Sequence, residues 1–156
     1  MSSQLIGRED GLTKRTLHLR IPPDAVFART VRDALIGFGM LHEIADGDVE
    51  ALLFAVGEAL ANAIEHAATG LDIEVFAEVD DESIVATVVD HGRGLHIVPQ
   101  QHMPPPESLA QRGRGIPIMQ GCSDFMNVNS TPGHGTAVTL GRWRRGYENT
   151  EQGTVS

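Results

Sequence analysis

The feature that most constrains the fold of this chain is a long amphipathic segment between residues 48 and 68. Its apolar residues recur at about 100° per residue, which predicts a helix with one buried face. This face comprises Val49, Leu52, Leu53, Val56, Leu60, Ala63, Ile64 and Ala67. The turn at 46–48 can cap the start of the helix, and Gly70 is a natural stop.

The opposite side of this helix has the character of a binding surface. It carries Glu58, Asn62 and Glu65, flanked by the small residues Ala51, Ala55 and Ala61. Glu58 and Asn62 are one turn apart and point the same way. An amide oxygen suits magnesium, and a carboxylate one turn away can orient water or accept a proton from a hydroxyl. For this pair alone, an ordinary solvated helix face is the competing interpretation.

Shorter patterns on both sides of the helix predict the rest of the fold. Residues 16–21 alternate apolar and polar side chains, as a half-buried strand does. Further predicted elements are a helix over 25–38, strands over 73–79 and 83–89, a short helix over 116–121 and a hairpin over 125–129 and 136–142. Because strands adjoin strands, this order predicts an α+β two-layer sandwich with a mixed, mostly antiparallel sheet and helices on one face. The domain is predicted over 14–143, with flexible ends at 1–13 and 144–156.

Composition excludes several classes of function. The formal net charge is −9, from 12 Lys and Arg against 21 Asp and Glu, and the basic residues are scattered. A nucleic-acid-binding protein usually presents a basic face, so we expect no direct DNA or RNA binding. No apolar run approaches the roughly 20 residues that span a bilayer, and no signal peptide is visible. With Cys122 as its single cysteine, the chain is expected to be cytoplasmic, without membrane contact.

A first glycine-containing segment, at 90–94, follows an apolar strand. It places Asp90 at the strand end and continues with Gly92 and Gly94. A carboxylate held there can accept a hydrogen bond from an exocyclic amine such as that of adenine, and the glycines let the backbone approach a ligand closely. A strand that simply ends in a glycine turn is the alternative.

Two further glycine segments lie later in the chain. The run Arg112-Gly113-Arg114-Gly115-Ile116 precedes a predicted helix, where free N–H groups and two arginines can bind phosphate. In Gly133-His134-Gly135-Thr136, the threonine hydroxyl can reach a ligand. A flexible hinge and a plain hairpin turn are the respective alternatives.

Taken in order, the four segments resemble the Bergerat fold, the ATP-binding superfamily of DNA gyrase, histidine kinases, mismatch-repair ATPases and heat-shock chaperones. The run Glu58-Ala59-Leu60-Ala61-Asn62-Ala63-Ile64-Glu65-His66 resembles its N box, and the glycine segments resemble its three glycine boxes. This helix and the run Gly113-Arg114-Gly115-Ile116-Pro117-Ile118-Met119 are similar to those of the bacterial anti-sigma factor serine/threonine kinases. The resemblance covers roughly residues 14–143.

The resemblance implies binding of ATP with Mg²⁺ in a pocket made by the four boxes. Nucleotide contacts are then expected from Asn62, Asp90, Gly92, Gly94, Arg112, Gly113, Arg114, Gly115, Ile116 and Thr136. Asn62 is expected to hold the magnesium, and Glu58 to act on the attacking hydroxyl. The implied partners are a sigma factor, a STAS-type anti-anti-sigma protein phosphorylated on serine or threonine, and a second copy of the chain in a homodimer. The implied role is transcription regulation in a stress response.

Two other functions stay open from the sequence. One is a partner-switch module that binds ATP without kinase activity. The other is the catalytic module of a sensor histidine kinase. We see no long dimerising helical pair with a substrate histidine in the sequence, which counts against this alternative. The proline-rich segment 97–112 is predicted to be a mobile lid that orders over the phosphates.

Overall fold

The computed structural model describes residues 2–5, 14–66, 70–92 and 115–144. The strands are β1 (Ser2–Leu5), β2 (Arg15–Ile21), β3 (Ile73–Val79), β4 (Ser83–Asp90), β5 (Phe125–Thr131) and β6 (Gly135–Trp143). The helices are α1 (Ala28–Leu41), preceded by a 3-10 turn at Ala25–Phe27, then α2 (Asp46–His66) and α3 (Gly115–Cys122). Every predicted element is present, with bounds shifted by at most three residues. Within the described residues, none of these helices combines the length and apolar character needed to cross a bilayer.

The strands form one sheet in the order β1-β2-β3-β4-β6-β5. This confirms the predicted α+β sandwich. Each of the five described pairings is antiparallel, so the described sheet contains none of the parallel pairing that a mixed sheet would include. The placement of β6 beside β4 sets Thr136 directly opposite Asp90.

The hydrophobic core lies between one face of the sheet and the helices. Alternation along the strands buries Leu17 and Leu19 of β2 against their cross-strand partners Ala77 and Val75 of β3. The helices contribute Val31, Leu35, Phe38, Val49, Leu52, Val56 and Leu60 to the same core. Fully burying an aliphatic side chain of this size contributes about 1.5–3 kcal/mol, so this layer-to-layer contact dominates the stability of the fold.

Helix α2 is the central helix of its layer, since it contacts α1, α3, β4 and β6. Its buried surface is therefore wider than the predicted stripe and includes Ala55 and Ala59, which are 0% and 1% exposed. The expectation that Ala55 leaves room for a ligand is wrong, because this residue packs inside the core. Leu53 and Ile64, predicted in the stripe, are only partly buried.

The strand β1 lies within the segment 1–13 that the sequence predicts to be flexible. Ser2–Leu5 pairs antiparallel with β2, with Ser3 opposite Leu17 and Leu5 opposite Arg15. Its sequence lacks the apolar alternation that identifies a strand. Pairing needs only backbone N–H and C=O groups, and β1 satisfies those that β2 would otherwise expose as an edge.

An ion-pair network ties the start of α2 to the sheet. Asp48, 2% exposed, accepts a hydrogen bond from Nη2 of Arg142 on β6 at 2.8 Å. Nη1 of Arg142 lies 3.6 Å from Oδ1 of Asp124, and Oδ2 of Asp124 accepts the Trp143 N–H at 2.8 Å. Asp124 follows the end of α3, so this network joins both α2 and α3 to β6.

A second polar cluster lies where α1 ends. His42 follows α1, its ring packs edge-on against Phe38 at 4.7 Å, and its carbonyl accepts a hydrogen bond from Nη2 of Arg144 at 3.3 Å. Arg15, His42, Asp80 and Arg144 border a cavity of about 140 Å³. Burial, together with the charges of Arg15 and Arg144, lowers the pKa of His42 below its ordinary value.

We expect His42 to make the fold less stable as the pH falls. Because its pKa is lower in the folded chain, its contribution is complete above the unfolded-state pKa of about 6.5 and is lost as pH falls towards the folded value. Urea unfolding between pH 8 and pH 5 should therefore show a smaller loss of stability in His42→Gln than in the wild type. Parallel pH profiles for the two proteins would contradict this role for His42.

Candidate functional site

Glu58 and Asn62 lie on one side of α2, at the border between its buried and exposed surfaces. Both side chains are half-buried, with the buried Ala59 and Ala63 beside them. The neighbouring stripe of the helix is open to solvent and includes Phe54, which is 57% exposed. The two polar side chains are therefore held by a rigid helix while their polar ends stay within reach of a ligand.

The end of α2 meets the segment that follows β4. A Cβ atom on Gly92 would overlap the carbonyl oxygen of His66, the last residue of α2. With a rise of about 1.5 Å per residue, Asn62 lies about 6 Å and Glu58 about 12 Å back along the helix axis from this contact. Gly92 is thus required by packing within the protein, a reason that differs from the predicted close approach to a ligand.

Asp90 ends β4 on the core side of the sheet and is 7% exposed. Its Oδ1 accepts the Gly92 N–H at 2.9 Å, which folds the chain into a tight turn after the strand. A buried carboxylate with one oxygen engaged in this way has a fixed orientation. Its second oxygen is the natural acceptor for a ligand group.

The β5–β6 turn lies against the same strand end. Gly133 and Gly135 have φ of +80° and +107°, a region that residues with a Cβ rarely adopt. A Cβ on Gly135 would also overlap the Asp90 carbonyl oxygen. These two glycines let the turn close tightly against β4.

Thr136 follows that turn and lies beside Asp90. It is 6% exposed, and its Oγ1 is 3.0 Å from the Ser130 Oγ on β5. With Asp90, the hydroxyls of Thr136 and Ser130 form a row of polar groups across the end of β4, β6 and β5. The sequence reasoning missed Ser130, and its only signal was a polar residue on the core-facing side of β5.

The second glycine segment is described only in part. Helix α3 begins at Gly115 and continues through Ile116, and it packs along α2. Four predicted site residues lie outside the described residues: Gly94, Arg112, Gly113 and Arg114. The predicted lid over 97–112 lies outside them as well.

The described residues thus bring three of the four predicted segments to one end of the domain. The end of α2, Asp90 with Gly92, and Gly135 with Thr136 meet around the end of β4. The helix α3, which begins at Gly115, packs on α2. This arrangement offers a buried carboxylate at one end and an amide with a carboxylate along the neighbouring helix.

Comparison with known proteins identifies the family. A model of the histidine kinase-like ATPase domain matches residues 21–142. The chain belongs to the histidine kinase-like ATPase family. The domain type implies ATP binding.

Curated relatives refine this assignment. The chain is 34% identical over 125 residues to an anti-sigma F factor of Caldanaerobacter subterraneus, covering 75% of this chain and 83% of the relative. It is 37% identical over 92 residues to an anti-sigma F factor of Pasteuria penetrans, covering 54% of this chain and 61% of the relative. Within the family the chain therefore groups with the anti-sigma factors, and the predicted resemblance is confirmed.

A solved structure supports the fold. The chain superposes on the structure of the RsbU and RsbW domains of Rv1364c from Mycobacterium tuberculosis with a TM-score of 0.64 and 24% identity. The match covers 83% of this chain but 33% of that chain. At this identity the match establishes the architecture only.

Proposed function

We propose that this chain is a protein serine/threonine kinase that uses ATP with magnesium and restrains a sigma factor. The observation that carries the proposal is the contact between α2 and the end of β4. The helix that bears Glu58 and Asn62 ends against Gly92, two residues after the buried Asp90. One nucleotide can then span from Asp90 to the polar side of α2.

Asp90 is proposed to bind the adenine. Its Oδ1 is engaged by the Gly92 N–H, so Oδ2 is the oxygen that would accept the exocyclic amine. The neighbouring Thr136 hydroxyl, paired with Ser130, would add a second polar contact at this end. A buried charged acceptor discriminates strongly, because a ligand without the matching donor leaves it unsatisfied.

Asn62 is proposed to face the phosphates. An amide oxygen with a carboxylate one turn away is a set of hard oxygen donors, which fits Mg²⁺. When bound, the ion would neutralise charge on the phosphate oxygens. The start of α3, with Gly115 and Ile116, is proposed to present backbone N–H groups to the same phosphates.

Glu58 is proposed to act on the attacking hydroxyl. It would accept the proton of a serine or threonine hydroxyl as that oxygen forms its bond to the γ-phosphorus. The bond from this phosphorus to the β–γ bridging oxygen breaks, and ADP leaves. The half-buried position of Glu58 leaves its carboxylate accessible to a partner's side chain while the helix fixes its place.

The relatives' name, anti-sigma F factor, supports a sigma factor and an antagonist as the proposed partners. A sigma factor would be held by this chain, and a STAS-type anti-anti-sigma protein would be the antagonist that it phosphorylates. We also propose that the chain forms a homodimer. A partner-switch module that binds ATP without transfer is the alternative that the transfer assay can reveal.

The nucleotide site is tested by Asp90→Asn. The amide can still accept the Gly92 N–H, but it presents a donor where the adenine amine also donates. Loss of a hydrogen bond to a charged group costs about 1.5–3 kcal/mol, so ATP affinity should fall at least about tenfold. Calorimetric titration with Mg-ATP measures this change.

Asp81→Asn serves as the control for this test. Asp81 is exposed in the turn before β4, at the end of that strand away from Asp90. Its substitution removes the same charge and should leave ATP affinity unchanged. Equal affinities for the wild type and Asp90→Asn would remove Asp90 from the site.

A further inference from the structure

The outer face of the sheet, opposite the helices, carries a cluster of two histidines around one carboxylate. Nε2 of His18 on β2 lies 3.1 Å from Oε1 of Glu74 on β3. Nε2 of His91, just after β4, lies 3.4 Å from Oε2 of the same carboxylate. Each oxygen of Glu74 is therefore matched to one imidazole, and we call these three residues the outer-face cluster.

The cluster is braced from the β2 side. The His18 ring stacks on Phe76 with centroids 4.3 Å apart and planes only 6° from parallel. Nε of Arg20 lies 3.9 Å from Oε1 of Glu74. These contacts fix the Glu74 side chain, which is 21% exposed, on a rigid strand.

The cluster is joined to the candidate site through His91. This residue lies between Asp90, whose side chain points to the core, and Gly92, whose N–H donates to Asp90. Glu74 is opposite Val89 in the β3–β4 pairing, one residue before Asp90. A side chain that anchors His91 therefore restrains the backbone of the turn in which Asp90 and Gly92 are bonded.

The charge of Glu74 strengthens this anchor. Burial raises the pKa of Glu74, but hydrogen bonds from His91 and His18 and the charge of Arg20 outweigh it and hold the pKa below its ordinary value. Glu74 is thus a carboxylate throughout the neutral range. A hydrogen bond to an ionised acceptor is stronger than one between neutral groups, so the charge favours both imidazole contacts.

Among the described residues, the charged and titratable side chains on or beside the neighbouring outer-face positions are His18 and Arg20 of β2, Glu78 of β3, Asp72 before β3, and His91 after β4.

We propose that Glu74 and His18 are positioning residues that act through His91 to hold the Asp90–Gly92 turn in its nucleotide-binding conformation. The proposal rests on the proposed binding of ATP at Asp90. By restraining this turn, the cluster raises nucleotide affinity. The restraint passes from Glu74 on the outer face of the sheet, through the backbone at His91, to the Asp90 carboxylate on the core side.

The test compares Glu74→Gln and His91→Gln with the control Glu78→Gln. Glu78 lies on the same face of the same strand and is exposed, so its substitution removes the same charge as Glu74→Gln. One readout is hydrogen exchange of the Gly92 amide by NMR without nucleotide. The other is Mg-ATP affinity at pH 7, taken as the ratio of each variant to the wild type.

Both test variants should speed exchange of the Gly92 amide about two- to fivefold, as expected for loss of a partly exposed ion pair. They should weaken ATP binding by a similar factor. The double variant should be no weaker than either single variant, because both remove one interaction.

The proposal is overturned if Gly92 exchange and ATP affinity in both variants equal those of Glu78→Gln. One further result would distinguish the failure of the proposed ATP binding from the failure of this anchoring proposal. If the wild type binds no ATP while Gly92 exchange rises in both variants, the nucleotide assignment fails and the anchoring of the turn stands.

Discussion

Glu58→Gln should slow phosphate transfer to a protein serine at least about a hundredfold while ATP affinity stays close to that of the wild type. Glutamine keeps the shape of the side chain but cannot take up the hydroxyl proton. General-base help is typically worth about 10²–10⁴-fold, and this help is absent from the binding step. The expected signature is therefore a loss of rate without a loss of binding.

The structure strengthens this expectation in one respect. Glu58 lies about 12 Å along α2 from the contact with Gly92, whereas Asn62 lies about 6 Å from it. Asn62 is thus closer to the nucleotide turn, so Asn62→Ala should impair both binding and transfer. Asn62→Ala should therefore lose both ATP binding and phosphate transfer, whereas Glu58→Gln should lose phosphate transfer alone.

The decisive measurement is single-turnover transfer from labelled ATP to a STAS-type antagonist domain. Glu65→Gln is a matched control, since Glu65 is on the same helix, is exposed and carries the same charge. It should transfer at the wild-type rate. A Glu58→Gln rate equal to that of Glu65→Gln would refute the assignment of Glu58 as the base. If the wild-type protein transfers phosphate to no candidate antagonist domain, the alternative of a partner-switch module that binds ATP without kinase activity is favoured.

Local patterns in the sequence were sufficient to predict the helices and most strands. The apolar spacing of 48–68 predicted α2, and it also placed Glu58 and Asn62 on one side of that helix. Such features depend on neighbours within one or two turns. The period of an amphipathic helix is therefore readable without knowing its partners.

Features that depend on distant pairing were not predictable in the same way. The alignment of Asp90 with Thr136 requires β6 to pair with β4, and no local pattern specifies which strands become neighbours. The same holds for β1, whose pairing uses backbone groups that every sequence supplies. Ala55 is buried because several elements surround α2, and the sequence of α2 does not specify how many do so.

The glycines illustrate a different limit. The sequence predicted that Gly92 lets the backbone approach a ligand. In the folded chain the missing Cβ of Gly92 makes room for the carbonyl oxygen of His66, and that of Gly135 makes room for the carbonyl oxygen of Asp90. A glycine marks a close approach, but the sequence does not say what approaches.

Arg142→Leu should lower the free energy of unfolding by about 3 kcal/mol. Removal of one partner of a buried ion pair typically costs about 3–5 kcal/mol. The partners are 94 residues apart in sequence, and no local pattern in the sequence pairs them. The variant leaves Asp48, 2% exposed, without the guanidinium 2.8 Å away that balances its charge. It also removes the nearby contact to Asp124 after α3.

The location of this pair decides what else should change. Asp48 lies in the first turn of α2, where a carboxylate also favours the helix N-terminus. Arg142 therefore fixes the start of the helix whose far end contacts Gly92. The structure predicts that α2 keeps its helical content in the variant but loses part of its attachment to β6.

Two further variants make the prediction specific to the buried pair. Arg20→Leu removes an arginine that is 66% exposed on the outer face, and it should cost less than about 1 kcal/mol. The double variant Asp48→Leu with Arg142→Leu should recover most of the stability lost in Arg142→Leu, because an apolar pair of similar volume leaves no buried charge uncompensated. Urea denaturation of all four proteins at pH 7 measures these differences. If Arg142→Leu unfolds at the same urea concentration as Arg20→Leu, the pair makes no net contribution and the attachment of α2 rests on its apolar face alone.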